Sequence, residues 1–152
     1  MAIFQIVKSE DEILHQEAKE IEEVTPQVCK LLDNLKDTLY ATSFGVGIAA
    51  PQIGISKRVV VVDLEDDLYE LINPEITERE GLELDTEGCL SVPGLIGDVI
   101  RAKEVTVKAL NREGKEIVVK AEGLLARAFQ HEIDHLDGIL YIDKAENIRQ
   151  AE

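Results

Sequence analysis

Residues 122–136 read EGLLARAFQHEIDHL, and this stretch predicts a helix at the centre of the fold. Apolar residues recur in it every three or four positions, and Gly138 just beyond it is a suitable C-cap. Two adjoining stripes face the predicted core: Leu124, Ala128, His131 and His135 beside Leu125, Phe129, Glu132 and Leu136. The opposite, wetter side is predicted to hold Arg127, Gln130 and Asp134. Two histidines and a glutamate therefore lie on the core-facing side of a mostly apolar helix.

The rest of the chain predicts another helix and a group of strands. Thr25 and Pro26 fit the N-cap and first position of a helix that runs to about Ala41. Segments 11–20 and 143–152 are predicted to form a short helical turn or two each. The predicted strands are 58–64, 68–72 (ending at the turn signal Asn73-Pro74), 76–84, and the hairpin pair 105–110 and 115–120. This order predicts an α+β fold, with antiparallel β-sheets surrounding a central helix that carries the HEIDH sequence.

Composition limits the classes of function. With 152 residues, 45% of them apolar, the chain suits one globular domain, 1–152. Acidic residues outnumber basic ones by 31 to 16, for a net charge of -15. That charge argues against stable nucleic-acid binding, which needs a basic face, so any proximity to the ribosome should be transient. The sequence has no apolar run long enough for a membrane span and no signal-peptide pattern at its start, so we expect a cytoplasmic protein without membrane contact.

The pattern His131-Glu132-Ile133-Asp134-His135 indicates a metal site. Residues i and i+4 lie one turn apart on the same helix face, so both imidazoles can reach one ion. The alternative is two hydrogen-bonded core histidines beside a buried glutamate, because short patterns recur by chance. Burying an unpaired carboxylate is costly. A cation between the histidines removes much of that cost, which favours the metal site.

A third ligand must come from another part of the chain. No histidine follows His135, although Glu146 and Glu152 remain formally possible. Upstream, residues 87–94 read EGCLSVPG and offer Cys89, whose thiolate is a strong ligand for borderline or soft divalent metals. Three protein ligands leave a fourth position for water, which is typical of a catalytic site. Cys29 lies in an amphipathic stretch and is predicted to be a small buried side chain.

The glycine-rich segment 45–54, GVGIAAPQIG, is a third candidate element. Glycines permit close approach of the backbone to a ligand, and Gln52 carries an amide donor. Taken alone, a tight turn is the simpler interpretation. A phosphate-binding loop is disfavoured because no Lys-Ser or Lys-Thr follows.

Together, GVGIAAPQ (45–52), EGCLS (87–91) and QHEIDH (130–135) resemble the signature of the peptide deformylase family. The order and spacing fit, and the similarity extends over nearly the whole chain. The resemblance implies one catalytic domain with antiparallel sheets around the histidine-bearing helix. It implies Cys89, His131 and His135 as ligands of one divalent metal. Fe(II) would be the native ion, with Zn(II), Ni(II) or Co(II) able to take its place.

The resemblance also implies a reaction: removal of the formyl group from the formyl-methionyl end of a nascent polypeptide, with release of formate. Glu132 would be the acid/base group, and Gln52 and the Leu90 backbone N–H would stabilise the oxyanion. The substrate backbone would add alongside the Gly45–Gly47 stretch as an extra strand. The implied walls of the methionine pocket are Val46, Leu124 and Ala128, with Arg127 at the edge, beside the backbone of Gly45 and Gly47.

Some positions differ from the pattern common in the family. His15 stands where many members have an arginine, and we expect it to be a surface or packing residue. Some members carry an arginine where this chain has 95–97, Leu-Ile-Gly, so a substrate contact by that arginine is not expected. Arg101 is predicted either to pair with Glu87 or Asp134 or to be solvated.

Two other functions remain open on the sequence. A zinc peptidase acting on unblocked peptides shares the histidine pattern, but the upstream cysteine and the lack of a downstream histidine weigh against it. A deformylase-like binding module without chemistry is the non-enzymatic alternative, although every implied catalytic group is present.

Overall fold

The two predicted helices are present in the computed structural model, which describes residues 3–42, 45–64 and 67–151. Helix α1 spans Pro26–Tyr40, and the Thr25 hydroxyl accepts a hydrogen bond from the Val28 backbone N–H, as predicted for the N-cap. Helix α2 spans Gly123–Leu136. The chain leaves α2 through Gly138, whose φ of +74° lies in the left-handed region that glycine favours.

Two antiparallel sheets complete the fold in the described part of the chain. The strands are β1 Gly47–Ala49, β2 Val59–Leu64, β3 Asp67–Glu80, β4 Glu83–Cys89, β5 Val92–Arg101, β6 Glu104–Leu110, β7 Glu116–Glu122 and β8 Glu146–Gln150. One sheet has the strand order β1-β2-β3-β6-β7 and the other β4-β5-β8. The predicted hairpin is confirmed as β6 and β7, with Leu110 opposite Glu116. Among the described helices, none is long and apolar enough to cross a membrane.

The valine run in β2 explains how the larger sheet lies between the two helices. Val60 and Val62 belong to the core that contains Phe129 of α2, whereas Val59 and Val61 belong to the core that contains Leu32 of α1. Because both faces of this strand are buried, it reads as a continuous apolar run rather than an alternating one. The predicted fold class, sheets around the HEIDH helix, is confirmed.

The prediction of a wet side on α2 is wrong. Arg127 and Gln130 are only 5% and 6% exposed, because this side of the helix faces β4, β5 and Ala102 rather than solvent. Arg127 donates to the backbone carbonyls of Glu83 and Val99, and Gln130 exchanges hydrogen bonds with the backbone of Ala102. These contacts satisfy the polar groups that burial would otherwise leave unpaired. Leu124, predicted to face the core, is 55% exposed.

The prediction that a strand ends at Asn73-Pro74 is also wrong. β3 continues through this point, with a register shift between Ile72 and Glu75. Asn73 has a φ of +52°, which asparagine tolerates better than most residues. Its side chain accepts from the Ile21 N–H and donates to the Ile21 carbonyl, each at 2.8 Å. The turn signal therefore marks a β-bulge tied to a distant segment, and the true turn lies at Gly81.

Of the two short helical predictions, the first is confirmed and the second is wrong. Segment 11–20 forms one 3₁₀ turn, Glu12–His15. The predicted brief helix over 143–152 is wrong: a 3₁₀ turn, Tyr141–Asp143, precedes β8, which pairs with β5. The pairing partner of β8 lies far away in sequence, so a local pattern could not reveal it.

Candidate metal centre and active site

Three potential metal ligands converge where the end of β4 meets α2. Cys89 Sγ and one ring nitrogen each of His131 and His135 all lie within 4.8 Å of one another. Cys89 Sγ is 3.4 Å from His135 Nε2, and the imidazole centroids are 5.1 Å apart. The helix places the histidines one turn apart, and the last residue of β4 supplies the thiol.

Among the described residues, the metal-ligand cluster consists of Cys89, His131 and His135. Glu146 is in β8, opposite Asp98, and Glu152 lies outside the described residues. Cys29 is half-buried rather than fully buried, and its thiol donates to the Arg112 carbonyl at 3.5 Å. His15 is exposed, as predicted.

The donor set fits one divalent cation. A thiolate with two imidazoles suits borderline or soft divalent metals. Burial alone would lower the pKa of His131, but hydrogen bonds to Cys89 and Glu87 raise it well above its usual value. A cation among these groups would take the place of that proton. Burial holds the pKa of His135 well below its usual value, so this imidazole is neutral and able to act as a ligand.

Glu132 lies beside the cluster with one oxygen unpaired. Burial raises the pKa of Glu132 to about 7. Its Oε1 is buried and has no hydrogen-bond partner among the described residues. The other oxygen packs against Gly47, where an added Cβ would lie 2.8 Å from Glu132 Oε2 and 2.9 Å from Cγ. The glycine predicted to approach a ligand thus also makes room for this carboxylate.

A buried carboxylate orients His131. Glu87 Oε1 accepts a hydrogen bond from His131 Nδ1 at 2.9 Å, which leaves Nε2 for a metal. Arg101 and Arg127 also donate to Glu87, and Arg101 reaches Asp134 at 2.8 Å. Burial would raise the pKa of Glu87, but hydrogen bonds from His131 and Arg101 lower it to about 2. The predicted pairing of Arg101 is confirmed, with both acids.

Gln52 reaches the cluster from the 3₁₀ turn Ala50–Ile53 that follows β1. Its Oε1 accepts from the Ala49 N–H at 2.9 Å, and its Nε2 lies 3.2 Å from Ser91 Oγ and 3.7 Å from Cys89 Sγ. Leu90 lies in the turn between β4 and β5, directly after Cys89. The amide donor and this turn therefore lie on the cysteine side of the site.

A cavity of about 500 Å³ opens onto these groups. The residues lining it include all five predicted substrate contacts, namely Gly45, Val46, Gly47, Leu124 and Ala128. Cys89, His131 and Glu132 form part of its wall. Among the described strands, β1 pairs with β2 alone, and its Gly47 lines the cavity.

Sequence reasoning missed two residues in this region. Arg127 was placed at the pocket edge, but its pairing with Glu87 was not foreseen. The sequence signal for this pairing was the position of Arg127, four residues before His131 on the same helix. Ser91 is fully buried and in contact with Gln52, and in the sequence nothing but its place in the EGCLS segment marks it.

Comparison with known proteins identifies the family. The family model for polypeptide deformylase matches residues 3–151. A peptide deformylase from Carboxydothermus hydrogenoformans is 64% identical, over 97% of this chain and 97% of that protein. One from Pelotomaculum thermopropionicum is 57% identical, over 99% and 96%.

Solved structures agree with the sequence comparison. The crystal structure of the peptide deformylase from Thermotoga maritima superimposes with a TM-score of 0.92 at 37% identity, over 96% of this chain and 99% of that one. The peptide deformylase from Legionella pneumophila gives a TM-score of 0.91 at 44% identity, over 96% and 88%. The match therefore covers both the sequence and the fold over nearly the full length. This chain belongs to the polypeptide deformylase family.

Proposed function

We propose that Cys89, His131 and His135 hold one divalent metal ion at which this enzyme, a peptide deformylase, removes the formyl group from the N-terminal methionine of nascent proteins. The observation that carries the residue assignment is the convergence of the three ligand atoms within 4.8 Å, beside a buried carboxylate with a free oxygen. The family relationship supports the reaction and argues against a binding module without chemistry. We further propose a single catalytic domain, 1–152, acting in the cytoplasm.

Glu132 is the proton carrier of the reaction. When bound, a divalent cation lowers the pKa of water and polarises a carbonyl oxygen. Glu132 accepts a proton from the attacking water through its free oxygen, and the water oxygen bonds to the formyl carbon. As the C–N bond breaks, Glu132 passes the proton to the leaving amine, which yields formate and a free amino terminus. Burial raises the pKa of Glu132, which favours its accepting a proton from water.

Gln52 and Leu90 stabilise the charge that develops on the formyl oxygen. The Gln52 Nε2 group lies 3.7 Å from Cys89 Sγ. It can therefore donate a hydrogen bond to a carbonyl oxygen that is held near the ligands. The Leu90 backbone N–H follows the cysteine directly. Donors already in place lower the barrier because they need not reorient as charge appears.

The cavity accounts for substrate binding. The peptide backbone pairs with the Gly45–Gly47 stretch, as an added strand does in other peptide complexes. Val46 and Ala128 line the methionine pocket, Leu124 lies at its exposed rim, and the Arg127 side chain closes one edge. In a formyl group, the carbonyl carbon carries a hydrogen where larger acyl groups carry a carbon substituent. A narrow position next to the ligands therefore accepts the formyl group and excludes larger acyl groups.

Fe(II) is the proposed native ion, with Zn(II), Ni(II) or Co(II) able to occupy the site. The thiolate and two imidazoles suit all four, and affinity alone does not select among them. Any encounter with the ribosome is transient, because a chain with a charge of -15 is repelled by RNA on average.

A formate-release assay with metal analysis tests this function. Formyl-Met-Ala should yield formate, and Met-Ala-Ser should remain intact. Glu132→Gln should keep one metal per chain and lower turnover by about 10²–10⁴-fold, the usual contribution of a positioned acid/base. Cys89→Ala should lose most of the metal, whereas Cys29→Ala, the matched control, should keep both metal and activity. Cleavage of Met-Ala-Ser without formate release, or full turnover in Glu132→Gln, would contradict the proposal.

A further inference from the structure

The Gln52 side chain is held at both ends of its amide. Oε1 accepts from the Ala49 N–H at 2.9 Å, and Nε2 lies 3.2 Å from Ser91 Oγ. The Ala49 contact selects the orientation of the amide. In a flipped amide, Nε2 would face the Ala49 N–H, and two donors would oppose each other. The Ser91 contact holds the nitrogen in place. The second N–H of Nε2 then points toward Cys89 and the cavity.

Ser91 itself does not line the cavity, although Leu90 and Val92 on either side of it do. Its exposure is 0%, so water does not compete for its hydroxyl. Among the described residues, the side-chain hydrogen bond found for this hydroxyl is the one to Gln52. An effect of Ser91 on the reaction must therefore pass through another side chain.

The N-terminal segment fixes the main chain of both residues. The Val7 N–H donates to the Gln52 carbonyl at 2.8 Å, and the Ser9 N–H donates to the Ser91 carbonyl at 2.9 Å. Val7 and Cys89 both pack against one apolar cluster, which contains Leu14 and Val92. With both backbones held by one segment, the remaining freedom of this pair lies in the rotation of the Gln52 side chain.

We propose that Ser91 is a positioning residue for deformylation, which fixes the Gln52 amide nitrogen at the point where the formyl oxygen gains charge. This inference rests on the proposed function, in which Gln52 stabilises the oxyanion. Without the hydroxyl, the amide keeps its anchor at Ala49 and the longer contact of Nε2 with Cys89 Sγ, and its nitrogen can swing away from its position. Misplacement of a donor reduces its stabilisation of the transition state far more than its binding of the ground state.

A double-mutant cycle separates this role from general packing. Ser91→Ala should lower kcat by about 10-fold, less than the 10²–10³-fold seen when an oxyanion donor is removed outright, with KM and metal content unchanged. In a Gln52→Ala background, Ser91→Ala should cause no further loss, because the group it positions is gone. Thr77→Val, which deletes a hydroxyl that donates to the Thr106 carbonyl in the larger sheet, is the control and should keep the kcat of the parent.

Nuclear magnetic resonance gives a second readout that does not depend on turnover. In the Zn(II)-loaded protein, the side-chain NH₂ signal of Gln52 is identified by its loss in Gln52→Ala. Ser91→Ala should shift this signal, and Thr77→Val should leave it in place. An equal fall in kcat in both backgrounds, or an unmoved signal, would overturn the proposal and leave the proposed function intact. Full activity of Gln52→Ala would instead overturn the role of Gln52, and that of Ser91 with it.

Discussion

Gly47→Ala should impair the reaction by displacing Glu132 rather than by removing the metal. The three atoms nearest to a Cβ at this position all belong to Glu132, the closest at 2.8 Å. The carboxylate must retreat by about 0.6 Å to reach an ordinary contact of 3.4 Å, in surroundings that bury it. Since a misplacement of about 1 Å can cost about 10²-fold in rate, we expect kcat to fall by about 10–100-fold. Overpacking should also lower the free energy of unfolding by about 1–3 kcal/mol.

Formate release and metal content, measured on the same samples, test this prediction. Gly114→Ala is the control: its φ is +78° and its nearest neighbour is 3.8 Å away, so it strains a distant hairpin turn without crowding. It should lower stability by about 1–2 kcal/mol and leave kcat unchanged. Wild-type kcat in Gly47→Ala, or loss of metal in proportion to loss of activity, would refute the reasoning.

Three further predictions concern stability, pH and oxidation. Arg101→Met removes the buried guanidinium shared by Glu87 and Asp134 while Arg127 still pairs with Glu87, so it should lower the free energy of unfolding in urea by no more than about 3–5 kcal/mol; a loss below about 1 kcal/mol would contradict the ion-pair account. The hydrogen bond from Tyr40 to Asp63 raises the pKa of Tyr40 to about 12 from 10.0, so its contribution to stability should be present below pH 10 and be lost as pH rises through 12. In Asp63→Asn, a titration followed by phenolate absorbance should show a lower pKa for Tyr40. An unchanged titration would contradict this prediction. Fe(II)-loaded protein should lose activity in air faster than Zn(II)-loaded protein, because Fe(II) and its thiolate ligand oxidise; equal decay rates would argue against it.

Local patterns predicted the elements that depend on neighbours in sequence. Both helices could be predicted from their 3.6-residue period. The N-cap at Thr25 and the end of α2 before Gly138 could be predicted from neighbouring residues alone. The same holds for the β6–β7 hairpin. Within α2, the i and i+4 spacing was enough to place His131 and His135 on one face. The residues alone left the third ligand open, and resemblance to the family pointed to Cys89.

The features that escaped prediction depend on contacts between distant segments. Asn73 reads as a turn, but its partner Ile21 lies 52 positions away, and the contact turns the signal into a bulge. Arg127 reads as a solvated residue, but it is buried against β4 and β5, whose backbone carbonyls accept its hydrogen bonds. Periodicity describes one element at a time, and burial depends on which other elements pack against it.

The metal coordination shell is the most direct test of the account. X-ray absorption on protein prepared without oxygen should show one sulfur and two imidazole nitrogens around the ion, together with a light atom at the open position. For the Zn(II) form, the sulfur should lie at about 2.3 Å and the nitrogens at about 2.0–2.1 Å. A shell without sulfur, or a spectrum that Cys89→Ala leaves unchanged, would contradict the assignment of Cys89, His131 and His135 as the ligands.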